Sequence, residues 1–271
     1  MATAPSLPAR DLVLAFFHAA SDRALDVATL VAATRVLGLT GNATRVALSR
    51  LGAEGWVIRD ERGRYRLHPE RVAAVSPLAP FKAIPSAVIR WKGRWVACLF
   101  EPGKRADLPE PLRRLGFRSP SPGLAVRPDN LRGGIARIEA RVGEGRLFTL
   151  TPAGLSDATA KWPALWEPER YSRGYAQMRE QLRKSRARLS KLSAEAKLAE
   201  TFRVGQACIA RLEQDPLLPD EWIDARARAS LVAELVAYDR DARELWMKMI
   251  PGLELEGSLR ANPTWATEVR T

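Results

Sequence analysis

The chain has 271 residues, 46% hydrophobic and 27% charged, with 43 Lys and Arg against 31 Asp and Glu, for a formal net charge of +12. The composition is that of a globular protein, and no apolar run reaches the roughly 18 residues that span a bilayer, so a disordered or membrane-spanning chain is excluded. With a pI near 10.4, the excess of cations suits a polyanionic partner, nucleic acid first among them.

The amino terminus, "MATAPSLPARDLVLAFF", lacks the form of a signal peptide, which predicts a cytoplasmic protein. In "RDLVLAFFHAA", Leu12, Val13, Phe16, Phe17 and Ala20 recur at helical spacing. Asp26 then caps a second helix with Val27, Leu30, Val31 and Leu37 on one face. "GLTGN" reads as a tight turn whose glycines take positive φ, and a third helix runs from Asn42 to Glu54, ending at Gly55. "WVIRD" and "RYRLH" flank "ERG" as a two-stranded hairpin. Three helices and a hairpin in this order predict a winged helix-turn-helix over residues 1–68.

The third helix divides cleanly at about 100° per residue. Ala43, Thr44, Ala47, Leu48 and Leu51 fall on one face, and Asn42, Arg45, Val46, Ser49 and Arg50 on the other. That division is what a recognition helix needs, with one face packed and the other free to enter the major groove of double-stranded DNA. Arg59, Arg62, Arg64 and Arg66 in the hairpin suit the adjacent phosphates. The competing reading is a solvated surface helix, with Arg50 paired to Glu54 at i, i+4.

Residues 69–90 are proline-interrupted and read as a linker, with one short helix at most. Residues 91–153 give strand, helix, two strands, helix and strand, beginning with the apolar run from Trp95 to Phe100, expected to be buried on both faces. This βαββαβ order predicts a ferredoxin-like domain and, with the helical segment 154–250, an α+β protein. "DPLLPDEW" breaks the helical segment, and the tail 251–271 shows little periodicity. Leu182, Leu189, Leu192 and Leu198 on its long helices are candidates for a dimer seam.

The chain resembles the PaaX family of transcriptional regulators in three places: "TRVALSRLGAEGW"; "WKGRWVACLFE" followed by "LRRLGF" and "PGLAVRPDNL"; and "DPLLPDEW". The resemblance implies a homodimeric repressor of an aromatic-compound catabolic operon that binds a palindromic operator. It also implies release by an acyl-CoA thioester such as phenylacetyl-CoA, with Arg45, Ser49 and Arg50 facing DNA. The sequence departs from the family at Ala125, where a bulky aromatic is common, and at "EWIDARARA", where a tryptophan-proline-glycine run is common. A thioester effector needs cations beside an aromatic or aliphatic pocket, for which Trp91, Arg94, Trp162, Trp166, Arg183 and Arg186 are the candidates.

Signs of catalysis are sparse: no glycine-rich phosphate loop, nucleophile elbow or paired-histidine motif occurs. His18 reads as a packed side chain, and with Cys98, Cys208 and His68 it makes a poor set of ligands, so no metal, no disulfide and no resident cofactor are expected. Two alternatives remain: a magnesium-dependent nuclease using Glu101 at the end of the first strand of the middle domain, and a nucleic-acid-binding protein without an effector.

Overall fold

In a computed structural model, the structure describes residues 7–20, 23–71, 78–101, 108–142, 147–151 and 157–259. The fold is α+β, with long helices and two small antiparallel sheets. The chain divides into two compact units. The first comprises Met1–Val75, Glu180–Ala210 and Glu234–Thr271; the second comprises Ser76–Arg179 and Arg211–Ala233. Segment 154–250 therefore contributes to both units.

The first unit is organised around α1 (Ala9–Ala20), whose Leu12 to Phe17, Ala19 and Ala20 are all buried. The sequence predicted a single apolar face, but Leu14, Ala15 and Ala19 are fully buried too. Helices α2 (Val27–Val36) and α3 (Gly41–Ala53) cover one side. The remaining cover comes from α8 (Ala194–Glu213) and α9 (Ala225–Met249): the Phe16 ring meets Trp246 edge-on at 5.3 Å and stacks on Phe202 at 6.4 Å. Leu253, Leu255 and Leu259 belong to the same core, and Glu256 N–H and Gly257 N–H both donate to Ala19 O. The start of the tail is thus a packed strap, which its lack of periodicity concealed; residues 260–271 lie outside the described residues. Leu198, expected at a dimer seam, is fully buried in this core, and Leu182 is buried as well. Leu189 and Leu192, the other two candidates, are partly buried.

In the second unit β3 (Trp95–Leu99), β4 (Arg118–Ser121), β5 (Leu124–Pro128) and β6 (Leu147–Leu150) form an antiparallel sheet of order β4-β5-β3-β6. Helix α5 (Glu110–Arg114) lies between the first two strands in sequence and α6 (Gly134–Val142) between the last two. Strand β3 is buried from Trp95 to Cys98 but opens at Leu99, which is 68% exposed. Four tryptophans layer around Trp95, at the other end of the strand, with Trp91, Trp162, Trp166 and Trp222 rings 5.1–5.9 Å from it. Residues 78–90, read as part of a linker, belong to this unit: Leu78, Phe81, Ile84 and Ala87 are buried, α4 (Ile84–Ala87) is a single turn, and Val88 bridges Leu131.

Buried polar groups fix the turn 215–222 that joins α8 to α9. Tyr175 Oη donates to Asp215 at 2.6 Å, Asp215 accepts from Leu217 N–H at 2.8 Å, and Asn130 Nδ2 donates to Leu217 O at 2.7 Å. Arg127, fully buried, donates to Leu115 O and Pro216 O, and burial lowers its guanidinium pKa to about 9. Arg228, in the departing "EWIDARARA" stretch, is buried against Leu218 O and Asp220. Burial pushes the Asp215 carboxyl upward against the opposing pull of Arg228.

Because Trp246 is completely buried against α1, Trp246→Ala should destabilise the first unit by about 3–5 kcal/mol. Urea unfolding followed by circular dichroism will read this as a lowered midpoint.

Candidate nucleic-acid interface

Helix α3 starts one residue earlier than the sequence suggested, because Thr40 caps it, its hydroxyl accepting from Ala43 N–H at 3.1 Å. Gly38 takes the left-handed conformation at φ +87°, whereas Gly41 is already helical. Asp26 caps α2 as expected, accepting from Thr29 N–H at 2.8 Å. The packed face of α2 is Thr29, Leu30, Ala33 and Thr34, with Val27, Val31 and Leu37 only partly buried. The shift follows from a buried hydroxyl pair, Thr34 to Thr44 at 2.7 Å, which sets α2 against α3. The apolar pattern alone gave no sign of it.

The division of α3 is as its sequence periodicity indicates. Thr44, Ala47, Leu48 and Leu51 are buried, while Asn42, Arg45, Val46, Ser49 and Arg50 are all exposed. Glu54 does not pair with Arg50; it accepts from Arg10 of α1 at 3.0 Å. Among the described residues neither Arg45 nor Arg50 has a carboxylate partner. The basic face of α7 (Pro168–Leu189) is different: Arg183 and Lys184 pair with Glu180, Arg186 with Asp241 and Arg188 with Glu200.

The hairpin β1 (Val57–Arg59) and β2 (Tyr65–Leu67) pairs Val57 with Leu67, Ile58 with Arg66 and Arg59 with Tyr65. Leu25 adds a third rung through two 2.8 Å hydrogen bonds with Tyr65, tying the hairpin to the start of α2. The turn is organised by Asp60, which accepts from Arg62 N–H and Arg64 N–H and pairs with the Arg64 guanidinium at 3.2 Å. These hydrogen bonds, the Arg64 N–H foremost, hold the Asp60 carboxyl below its ordinary range. The four hairpin arginines are not equivalent. Arg59 lies over the Tyr65 ring, Arg64 is committed to the turn, Arg66 is half-buried beside Ile58 on the opposite strand face, and Arg62 is exposed at the tip.

The expected effector residues are divided between the two units. Trp91, Arg94, Trp162 and Trp166 belong to the second unit, Arg183 and Arg186 to the first. Trp166 is core, its indole N–H donating to Gly116 O at 2.8 Å. Trp91 packs edge-on against Trp95 and Trp222, Trp162 does the same against Trp95, and Arg94 pairs with Asp129 at 2.6 Å. Arg186 lies over Tyr238. Sequence reasoning missed a different feature of the second unit, a cleft of about 730 Å³ lined by Cys98, Leu99, Phe100, Glu101, Leu112 and Val142, among others. Glu101 is exposed there. Among the described residues no three His, Cys, Asp or Glu side chains group as metal ligands, and no helix is long and apolar enough to cross a membrane.

No family model matches the chain, and no curated protein matches it. Its structure is similar to that of the uncharacterized protein Rv0674 from Mycobacterium tuberculosis, with 24% sequence identity and a TM-score of 0.58 over 89% of this chain and 98% of that one. The likeness is one of fold, and it extends over both units.

Asp26 anchors this interface, since its cap sets the start of α2. The Thr29 N–H holds its carboxyl below the ordinary carboxylate range. A depressed folded pKa stabilises the fold above the unfolded pKa, and this stability is lost as pH falls through the folded value. Asp26→Ala should therefore cost about 1 kcal/mol at neutral pH. In urea titrations, the gap to wild type should close as the pH falls below about 4.

Proposed function

We propose that the chain is a sequence-specific DNA-binding transcriptional regulator of PaaX type. In this reading the first unit carries a winged helix-turn-helix, and the sheet of the second, with its chain-order pattern of second, third, first and fourth strand, is a ferredoxin-like module. The observation that carries the reading is the exposed face of α3, where Arg45 and Arg50 stand without carboxylate partners beside Asn42 and Ser49. Cations left unpaired on an exposed helix, next to a hairpin tipped by Arg62, suit phosphates and base edges better than solvent.

The protein then acts as a homodimeric repressor of an aromatic-compound catabolic operon, reading two half-sites of a palindrome about one helical turn or a multiple apart. An aryl-CoA thioester such as phenylacetyl-CoA releases it by favouring a conformation of lower DNA affinity. The support for that effector is the sequence resemblance, together with the apolar cleft of the second unit, whose volume lies in the range of small-molecule sites. The nuclease reading has less behind it, because among the described residues the cleft lining offers the single carboxylate of Glu101.

Arg45→Ala should weaken binding to a selected operator by roughly 1–3 kcal/mol while leaving non-specific binding nearly unchanged. Arg62→Ala should weaken all sequences alike and reduce the slope of log affinity against log salt by about 1. Gel-shift titrations at several salt concentrations measure both, and equal operator affinity for wild type and Arg45→Ala overturns the reading. Phenylacetyl-CoA should raise the melting temperature and release the operator; no shift and no release removes this effector from the proposal.

A further inference from the structure

Val46 is the one large apolar side chain on the open face of α3, where Ala53 is also exposed. It is 41% exposed, with Arg45 before it and Ser49 a turn beyond. Asn42 and Arg50 flank it at i−4 and i+4, about 6 Å away along the axis at roughly 1.5 Å rise per residue. A valine in this position leaves 41% of its surface outside the core, and a β-branched residue is a weak choice for an exposed helical site. The side chain therefore finds its use in an apolar contact outside the fold.

We propose that Val46 recognises a thymine through its 5-methyl group; this rests on the reading of α3 as a recognition helix. In the major groove guanine, cytosine and adenine present donors and acceptors, and thymine alone adds a methyl group. A valine pressed against a polar edge would strip its water and return no hydrogen bond, which is unfavourable. Against a methyl it buries hydrocarbon on both sides. Its single preferred rotamer in a helix means that little side-chain freedom is lost on contact. The polar neighbours on either side read the adjoining base pairs, so Val46 fixes the identity of the base between them.

The test begins with selection of bound duplexes from a random pool by the full-length protein. Each thymine of the enriched sequence is then replaced singly by deoxyuridine, which removes only the methyl. One replacement should weaken wild-type binding about fourfold, equivalent to about 0.8 kcal/mol. Val46→Ala should bind the thymine duplex about fourfold more weakly and be indifferent to that replacement. Its melting temperature should match wild type, because the side chain is outside the core. A pool that enriches no sequence overturns the proposed function and this inference with it. An enriched sequence with no deoxyuridine-sensitive position overturns the inference alone, as does a Val46→Ala variant that keeps wild-type sensitivity.

Discussion

The first unit depends on a requirement of α1: it is apolar on nearly every side, so it must be enclosed. The two helices that follow it in sequence cover only part of its circumference. The rest is closed by Phe202, Trp246, Leu253, Leu255 and Leu259, drawn from far along the chain. Aromatic rings meeting at 5.3–6.4 Å supply much of that closure, through buried area and favourable edge-on geometry. Everything that orients α3 toward a partner is built on this enclosed helix.

Polar contacts then set the angles. The Thr34–Thr44 hydroxyl pair places α2 against α3, the Asp26 and Thr40 caps define where each helix begins, and the Leu25–Tyr65 rung ties the hairpin to the same frame. Loss of the Thr34–Thr44 pair in particular would leave a buried hydroxyl unsatisfied. The open face of α3 inherits its orientation from these contacts. In the second unit, Arg127, Asn130, Tyr175 and Arg228 similarly hold a turn that no regular element supports.

Local features were legible in the sequence. The thirteen-residue α3 is short enough for angular arithmetic to sort its faces without drift, so Asn42, Arg45, Val46, Ser49 and Arg50 were separable from Ala47 and Leu51. The caps and the hairpin followed from Asp26, Gly55 and Gly63 in the same way. Features that depend on distant partners were hidden. No periodicity in "DLVLAFF" points to Trp246, and a charged residue within "LAVRP" gives no notice that carbonyls of Leu115 and Pro216 will receive it. Trp166 suggested a ligand pocket because an aromatic side chain declares its chemistry but not its neighbours; in the fold those neighbours are other tryptophans. Leu182 and Leu198 misled for the same reason, since an apolar stripe does not say whether its cover lies within the chain or outside it.

The strap formed by Leu253 to Leu259 has a consequence for how the molecule comes into being. A ribosome makes α1, α2 and α3 first, yet α1 stays partly uncovered until Trp246, Leu255 and Leu259 have emerged and Glu256 and Gly257 can reach the Ala19 carbonyl. Domains that are complete at the amino terminus fold during synthesis; this one waits for sequence more than two hundred residues downstream. A message cut short, or a chain released early, yields an N-terminal fragment with α3 present but its core open. Such a product leaves Leu14, Phe16 and Phe17 of α1 open to solvent and to proteases, so the enclosure of α1 is complete only once the chain has been translated through residue 259.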